Sequence, residues 1–220
     1  MSKRSHPILR SSALLGLIAL LGTALLAGVN ELTHDRIIEQ EKLRILQQLN
    51  EIVPVDSYNN DLLGDKIEIE DQAFFRHSAP VGIYRARMDG RAVAVMMMVT
   101  APDGYNGDIR LLLGIDAAGT ILGVRVIAHR ETPGLGDPIE QGKSDWIHGF
   151  TRKSLRNPAD RALHNGGWAV KRDNGQFDQF TGATSSPRAV VRAVHTALKY
   201  FEANSQAMFD KPSIQAKTDV

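Results

Sequence analysis

The longest uncharged run constrains this chain most. From Ser11 to Asn30 no residue is charged, and Leu, Ala, Gly and Ile dominate. A helix rises about 1.5 Å per residue, so a run of about 20 residues spans roughly 30 Å, the hydrocarbon thickness of a bilayer. Lys3, Arg4 and Arg10 precede the run; Glu31 and Asp35 follow it. The positive-inside rule then places residues 1–10 in the cytoplasm, 11–30 across the membrane and the rest on the far side. In a bacterium this means an inner-membrane anchor and a periplasmic remainder. A cleaved signal peptide is the alternative. It would have an apolar core of about 7–15 residues and an Ala-x-Ala-like exit. The exit here is Leu25-Leu26-Ala27-Gly28, a poor match, and the chain has no Cys for a lipid anchor. A retained anchor is the expectation. The spacing Ala24-x-x-x-Gly28 would let a partner helix approach closely.

The 220 residues are 43% hydrophobic and 23% charged, which suits a folded domain rather than a disordered chain. The absence of Cys excludes disulfides, Cys-ligated metals, iron–sulfur clusters and thiol catalysis. The formal net charge is +1. The three cations ahead of the apolar run account for more than that, so the remainder is slightly acidic. That argues against a nucleic-acid-binding domain, which would be clearly basic.

Past the apolar run, apolar residues from Leu32 to Ile52 fall near helical spacing and Pro54 closes the pattern, predicting a helix over 31–54. It reads equally as a stalk leaving the membrane and as an amphipathic helix packed on the domain. Strands dominate next. Residues 82–88 and 91–100 flank Asp89-Gly90, a strong hairpin signal, and 109–116 and 120–128 flank Ala117-Ala118-Gly119. Met96, Met97 and Met98 lie inside an apolar strand, where filling core is their expected role. A Gly- and Pro-rich irregular stretch covers 129–141, with a short helix around 144–150. Residues 168–171 and 176–180 bracket Asp173-Asn174-Gly175, a third possible hairpin. A last helix runs from Pro187 to about Asn204, with Val190, Val191, Val194, Leu198 and Phe201 as its apolar stripe. The tail, 205–220, is polar and expected to be loose. The whole is an α+β chain: one membrane helix, then a domain over 55–204 with an antiparallel sheet and flanking helices.

Several chemistries fail on spacing. No two of the seven His residues stand four apart and no His-Glu-x-x-His occurs, against a zinc hydrolase. There is no Gly-x-Ser-x-Gly elbow and no Gly-x-Gly-x-x-Gly. Gly142-Lys143-Ser144 resembles the end of a phosphate-binding loop, but the position that needs the first Gly holds Asp137.

One segment remains informative: Asp178-Gln179-Phe180-Thr181-Gly182-Ala183-Thr184-Ser185-Ser186-Pro187. Ser186 is a capping residue type and Pro187 suits a first helical turn. Thr184 therefore falls just ahead of a helix start, where free amides and the helix dipole favour an anion. Gly182 permits close backbone approach, with hydroxyls of Thr181 and Thr184 on either side. Read from residues alone, this is a phosphate site or a Ser/Thr-rich cap with no ligand.

Thr181-Gly182-Ala183-Thr184, with Asp178 three residues before it, resembles the flavinylation motif of FMN-binding subunits in ion-pumping respiratory complexes. His129-Arg130-Glu131-Thr132-Pro133-Gly134-Leu135-Gly136-Asp137 looks like that family's second hallmark. Gly104-Tyr105-Asn106-Gly107 and Trp168-Ala169-Val170-Lys171 fit as well, and the whole chain, anchor included, resembles the G subunits of Rnf (Rsx) electron transport complexes. The resemblance implies FMN joined through its phosphate to the last residue of the motif, Thr184. It implies that a separate periplasmic flavin transferase forms this bond from FAD, and that the flavin domain is periplasmic. It further implies that partner subunits pass electrons between ferredoxin and NAD with ion movement, or to a redox regulator.

Around that cofactor, Asp178 is a candidate helper of the transferase. Glu131 and Thr132 are candidate hydrogen-bonding partners of the ring. Pro133, Gly134 and Gly136 would shape a tight turn, and Leu135 would cover a ring face. An ordinary surface turn is the alternative for this loop. Lys171 is a candidate neighbour of the phosphate or reduced flavin, and Tyr105 is either a stacking partner or a core tyrosine. Other readings of the chain are the C subunit of the sodium-pumping NADH:quinone reductase, a membrane-tethered FMN sensor or assembly protein, and a periplasmic scaffold without flavin.

Overall fold

A computed structural model describes residues 7–77, 79–155 and 167–214. Residues 1–6 and 215–220, the ends of the expected cytoplasmic segment and tail, lie outside it. The chain divides into two compact units, Met1–Ile45 and Leu46–Val220.

The first unit belongs to helix α1, which covers Pro7–Asn50. Its stretch Arg10–Thr33 is long and apolar enough to cross a membrane, and none of it is buried. Leu14, Leu15, Leu20, Leu25 and Leu26 point outward without protein cover. In water such a surface would be strongly unfavourable; in lipid it is the ordinary state of a spanning helix. The helix fits a single-pass membrane protein. It ends at Asn50, just before Pro54, which lacks the N–H to continue it.

The second unit is built on a five-stranded antiparallel meander in sequence order. Its strands are β1 Lys66–Ile69, β2 Val81–Met88, β3 Arg91–Gly104, β4 Gly107–Asp116 and β5 Ile121–Ala128. A short helix, α2 Gln72–Phe75, links β1 to β2, and α3 Ser185–Asp210 closes the fold. The expected hairpins form at their turn residues. Asp89 and Gly90 both have positive φ (50° and 76°), as the two-residue turn between right-twisted strands requires. At the second, Asp116 caps the turn by accepting from the amides of Ala118 and Thr120.

Alternation along β3 and β4 sends side chains to two covered faces. Val95, Met97, Val99, Ile109, Leu111 and Leu113 join Val190, Val194, Leu198 and Phe201 of α3 in one core. Met96, fully buried, points the other way. That face is closed by residues at and just after the end of α1: Leu49, Ile52 and Val53 are all buried. A Cβ on Gly114 would stand 2.3 Å from Cγ2 of Ile52, so the strand needs glycine there to admit the isoleucine. The end of the expected 31–54 helix therefore packs within the domain unit, which starts at Leu46 rather than at 55.

Two expectations need correction. The third hairpin does not form. Lys171–Asp173 makes a 3-10 turn, and Val170 and Phe177 meet in a single parallel bridge. The short helix expected near 144–150 does form, as a 3-10 helix over Trp146–Phe150. The described part of the expected loose tail, 205–214, is packed on the domain. Helix α3 continues to Asp210 with Met208 buried, and the amide of Ile214 donates to the carbonyl of Lys66. Buried Arg85 holds this end by donating to the carbonyls of Met208 (2.9 Å), Phe209 (3.2 Å) and Lys211, and it pairs with Asp65. A polar composition hid the segment because its orphan carbonyls are satisfied by an arginine about 120 residues away.

Candidate functional site

Three segments meet at one end of the sheet. The first is the turn between β3 and β4, Gly104-Tyr105-Asn106-Gly107, closed by a Gly104–Gly107 pairing. It exposes Tyr105 to 72%, which removes the core reading of that residue.

The second follows β5. Amides of Leu135 and Gly136 donate to the carbonyl of Thr132, and Gly134 takes φ 77°. Asp137 fastens the turn by accepting from the amide of Gly134 at 2.6 Å. Leu135 is left 47% exposed at the tip.

The third is the motif ahead of α3. Phe180 and Ala183 bridge around Thr181-Gly182, and the amide of Ala183 donates to the carbonyl of Phe180. Gly182 has φ 79°, the value a type II turn needs at its third residue. The chain then enters α3 directly, with Thr184 at the N-cap position. Its side chain makes no capping bond, so the hydroxyl is uncommitted at a helix start whose first amides have no partner within the helix. Ser186 does not cap, contrary to expectation. It lies inside the first turn, buried, and donates instead to Oε2 of Glu131.

Glu131 is the junction of all three. It is only 4% exposed. Its Oε2 accepts from Ser186 at the helix start; its Oε1 accepts from the amide of Asn106 at 3.1 Å. The side chain of Asn106 donates to the hydroxyl of Thr132 at 3.1 Å. A buried carboxylate is tolerated because donors meet both oxygens. Gly136 completes the arrangement: a Cβ there would stand 2.6 Å from Oγ of Ser186 and 2.8 Å from Oε2 of Glu131.

Between these segments lies a cleft of about 180 Å³ lined by Tyr105, Glu131, Thr132, Leu135, Gly136, Gly182, Ala183 and Ser186. All but Ser186 were expected from sequence. Gly134 shapes the turn behind it. Thr181, Thr184, Asp178 and Lys171 stand outside the lining. Lys171 and Asp178 pair with each other at 2.6 Å, and the indole N–H of Trp146 donates to the carbonyl of Asp178 at 2.8 Å. Sequence reasoning missed Ser186, Asn106, His129 and Glu140 as structural members. His129, Asn106 and Ser186 sat inside segments already singled out; Glu140 carries no signal before the fold brings it to His129.

The residues fit FMN. An uncommitted hydroxyl at a helix N-terminus suits a phosphate ester, because the diester keeps a negative charge that the helix end favours. The adjoining cleft has exposed backbone at Gly182, a side-chain-free wall at Gly136 and an apolar rim at Leu135 and Tyr105, as a flat ring requires. Among the described residues no group of three or more His, Asp or Glu is placed to hold a metal.

Comparison with known proteins agrees with this geometry. A family model described as FMN-binding domain matches residues 104–199, a span that begins at the β3–β4 turn and contains every expected site residue. The class is therefore an FMN-binding domain preceded by an apolar helix. A second model, RnfG N-terminal region, matches residues 1–52. The G subunit of the ion-translocating oxidoreductase complex of Pseudomonas aeruginosa PAO1 is 50% identical over 201 residues, covering 91% of this chain and 92% of that one. The corresponding G subunit of Shewanella loihica is 46% identical over 211 residues, covering 96% of each. The chain belongs to the family of G subunits of ion-translocating oxidoreductase complexes. A crystal structure of Shewanella oneidensis NqrC is similar at TM-score 0.47 and 19% identity, over 71% of this chain and 74% of that one. The relatives at high identity are G subunits, so the quinone reductase alternative is set aside.

Proposed function

We propose that this chain is a membrane-anchored electron relay within an Rnf-type complex, carrying FMN as a phosphoester on Thr184. The observation behind this is the convergence at Glu131. One buried carboxylate ties the ring-sized cleft to the helix start that presents the threonine. In the proposed maturation, a partner flavin transferase directs the Thr184 oxygen onto the FMN phosphorus of FAD. AMP leaves and the hydroxyl proton passes to the medium. Bound FMN supplies one- and two-electron transfer, so the chain needs no acid–base constellation for a substrate.

The protein's residues then have separate tasks. The first turn of α3 stabilises the phosphodiester charge. Leu135 and Tyr105 cover the ring, and Glu131 and Thr132 hold the cleft walls in register. The Lys171–Asp178 pair sits beside the motif, where it would meet the transferase. The domain faces the periplasm on this reading. The complex moves electrons between ferredoxin and NAD, or to a redox regulator, coupled to ion movement through its other subunits.

The test is covalent flavin. The full chain is coexpressed with a flavin transferase, purified and denatured, and its retained flavin fluorescence is read on the gel. Wild type and Thr181→Ala retain the signal; Thr184→Ala loses it. Survival of the signal in Thr184→Ala with loss in Thr181→Ala would move the attachment site. A colourless wild type would remove the flavin reading.

A further inference from the structure

A chain of polar contacts reaches Glu131 from behind the cleft. Oε1 of Glu140 lies 2.5 Å from Nε2 of His129. The backbone amide of Glu131 donates to Nδ1 of the same ring at 3.0 Å. The ring is largely buried, its side chain 10% exposed. The two contacts fix its chemistry. An amide N–H can only donate, so Nδ1 must offer its lone pair, and the ring proton must sit on Nε2 facing the Glu140 carboxylate. A carboxylate thus orients an imidazole, which in turn holds the backbone of the residue whose side chain joins all three cleft segments.

We propose that His129, oriented by Glu140, is the positioning residue of the cleft: it pins the backbone of Glu131 so that its carboxylate bridges Asn106 and Ser186. The consequence for flavin rests on the reading above. The hydrogen-bond role itself does not, and the two fail separately in the experiment. Free rotation of the 131 peptide would release the carboxylate from one or both partners. The wall formed by the 132–136 turn would then no longer be tied to the helix start.

The two ring nitrogens occupy different places, and that makes the proposal testable by side-chain length. Asn places an amide oxygen where Nδ1 stands. Gln places its terminal amide where Nε2 stands, keeping the reach to Glu140 but losing the acceptor for the Glu131 amide. Hydrogen exchange at the Glu131 amide is measured in the detergent-solubilised full chain, with or without flavin. His129→Asn keeps wild-type protection, whereas His129→Gln and His129→Phe exchange roughly tenfold faster, the effect of one lost hydrogen bond. The side chain of Glu140 is 41% exposed, so replacing it opens no buried cavity. Glu140→Gln still accepts from Nε2 and stays protected; Glu140→Leu exchanges faster. In flavin-loaded protein the visible absorption band follows the same division, shifted in the Gln and Phe variants and unshifted in Asn. Protection retained in His129→Gln, or lost equally in His129→Asn, overturns the proposal. So does a Glu131 amide indifferent to both Glu140 variants. Absence of flavin in an otherwise unchanged exchange pattern sinks only the flavin reading.

Discussion

Gly136 shows how little freedom the cleft has at the level of single atoms. Its φ of −96° suits any residue, so the need for glycine is steric rather than conformational. An added methyl would press on both Ser186 and Glu131. Gly136→Ala is expected to destabilise the protein by roughly 1–3 kcal/mol, the usual cost of overpacking. Removing the hydroxyl as well, in Gly136→Ala with Ser186→Ala, should cost less than the two single changes summed, because they share a partner. Thermal unfolding of the four proteins checks this. A second residue-scale effect lies at His195, stacked on Trp168 with ring centroids 5.5 Å apart and planes 6° apart. Burial, helped by nearby Lys199, pushes its pKa down to about 4. The unfolded chain takes up the proton near pH 6.5 while the folded chain resists until about 4. Stability therefore falls as pH drops through this window and levels off below it, by at most roughly 3 kcal/mol. His195→Phe keeps the stack and removes the proton. Its melting temperature should decline less than that of wild type between pH 6.5 and 4.

At the scale of elements, legibility followed how local the cause was. Strands β2 to β5 and the Asp89-Gly90 turn were readable because alternation and turn chemistry are written within a few residues. The motif at Thr181–Thr184 was readable as a helix entry for the same reason. Strand β1 was not, since four residues with one buried edge give too short a pattern. The third hairpin misled because Asn174, with φ 64°, ends a 3-10 turn instead of joining two strands. Most telling is the end of α3, where no sequence rule pairs Arg85 with carbonyls of Met208 and Lys211. Arg87 adds a contact to the carbonyl of Phe209 and shares Asp65 with Arg85. A chain stopped after Asn204, at the helix end composition suggests, would lose buried Met208 and every carbonyl this pair holds. Buried Arg85 would keep only Asp65. The expected cost is about 3 kcal/mol or more, from the lost core side chain and the unsatisfied guanidinium. The full chain, which keeps these contacts, is the reference. Comparing the two melting temperatures decides whether the last turns of α3 belong to the domain.

For the whole molecule the governing fact is that its two units solve opposite solvent problems. Residues 10–33 expose leucines that lipid would cover, whereas the described residues of unit 46–220 bury an apolar core on both faces of a sheet. On the proposed function the chemistry belongs to the second unit, and the first sets the compartment it works in. Three cations stand before the apolar run and carboxylates stand after it. Each arginine or lysine left on the trans side would have to cross the bilayer during insertion, which is why such flanks set orientation. The expected outcome is that protease added to spheroplasts degrades the 46–220 unit, while a tag before residue 1 stays protected until the membrane is broken. Replacing Lys3, Arg4 and Arg10 with Gln should blur that division, leaving a fraction of the domain protected. If maturation at Thr184 is periplasmic, as proposed, this fraction should lack covalent flavin. Orientation and flavin content measured on the same variant therefore have to change together. A protected domain that is fully flavinylated would break the link between the anchor and the cofactor.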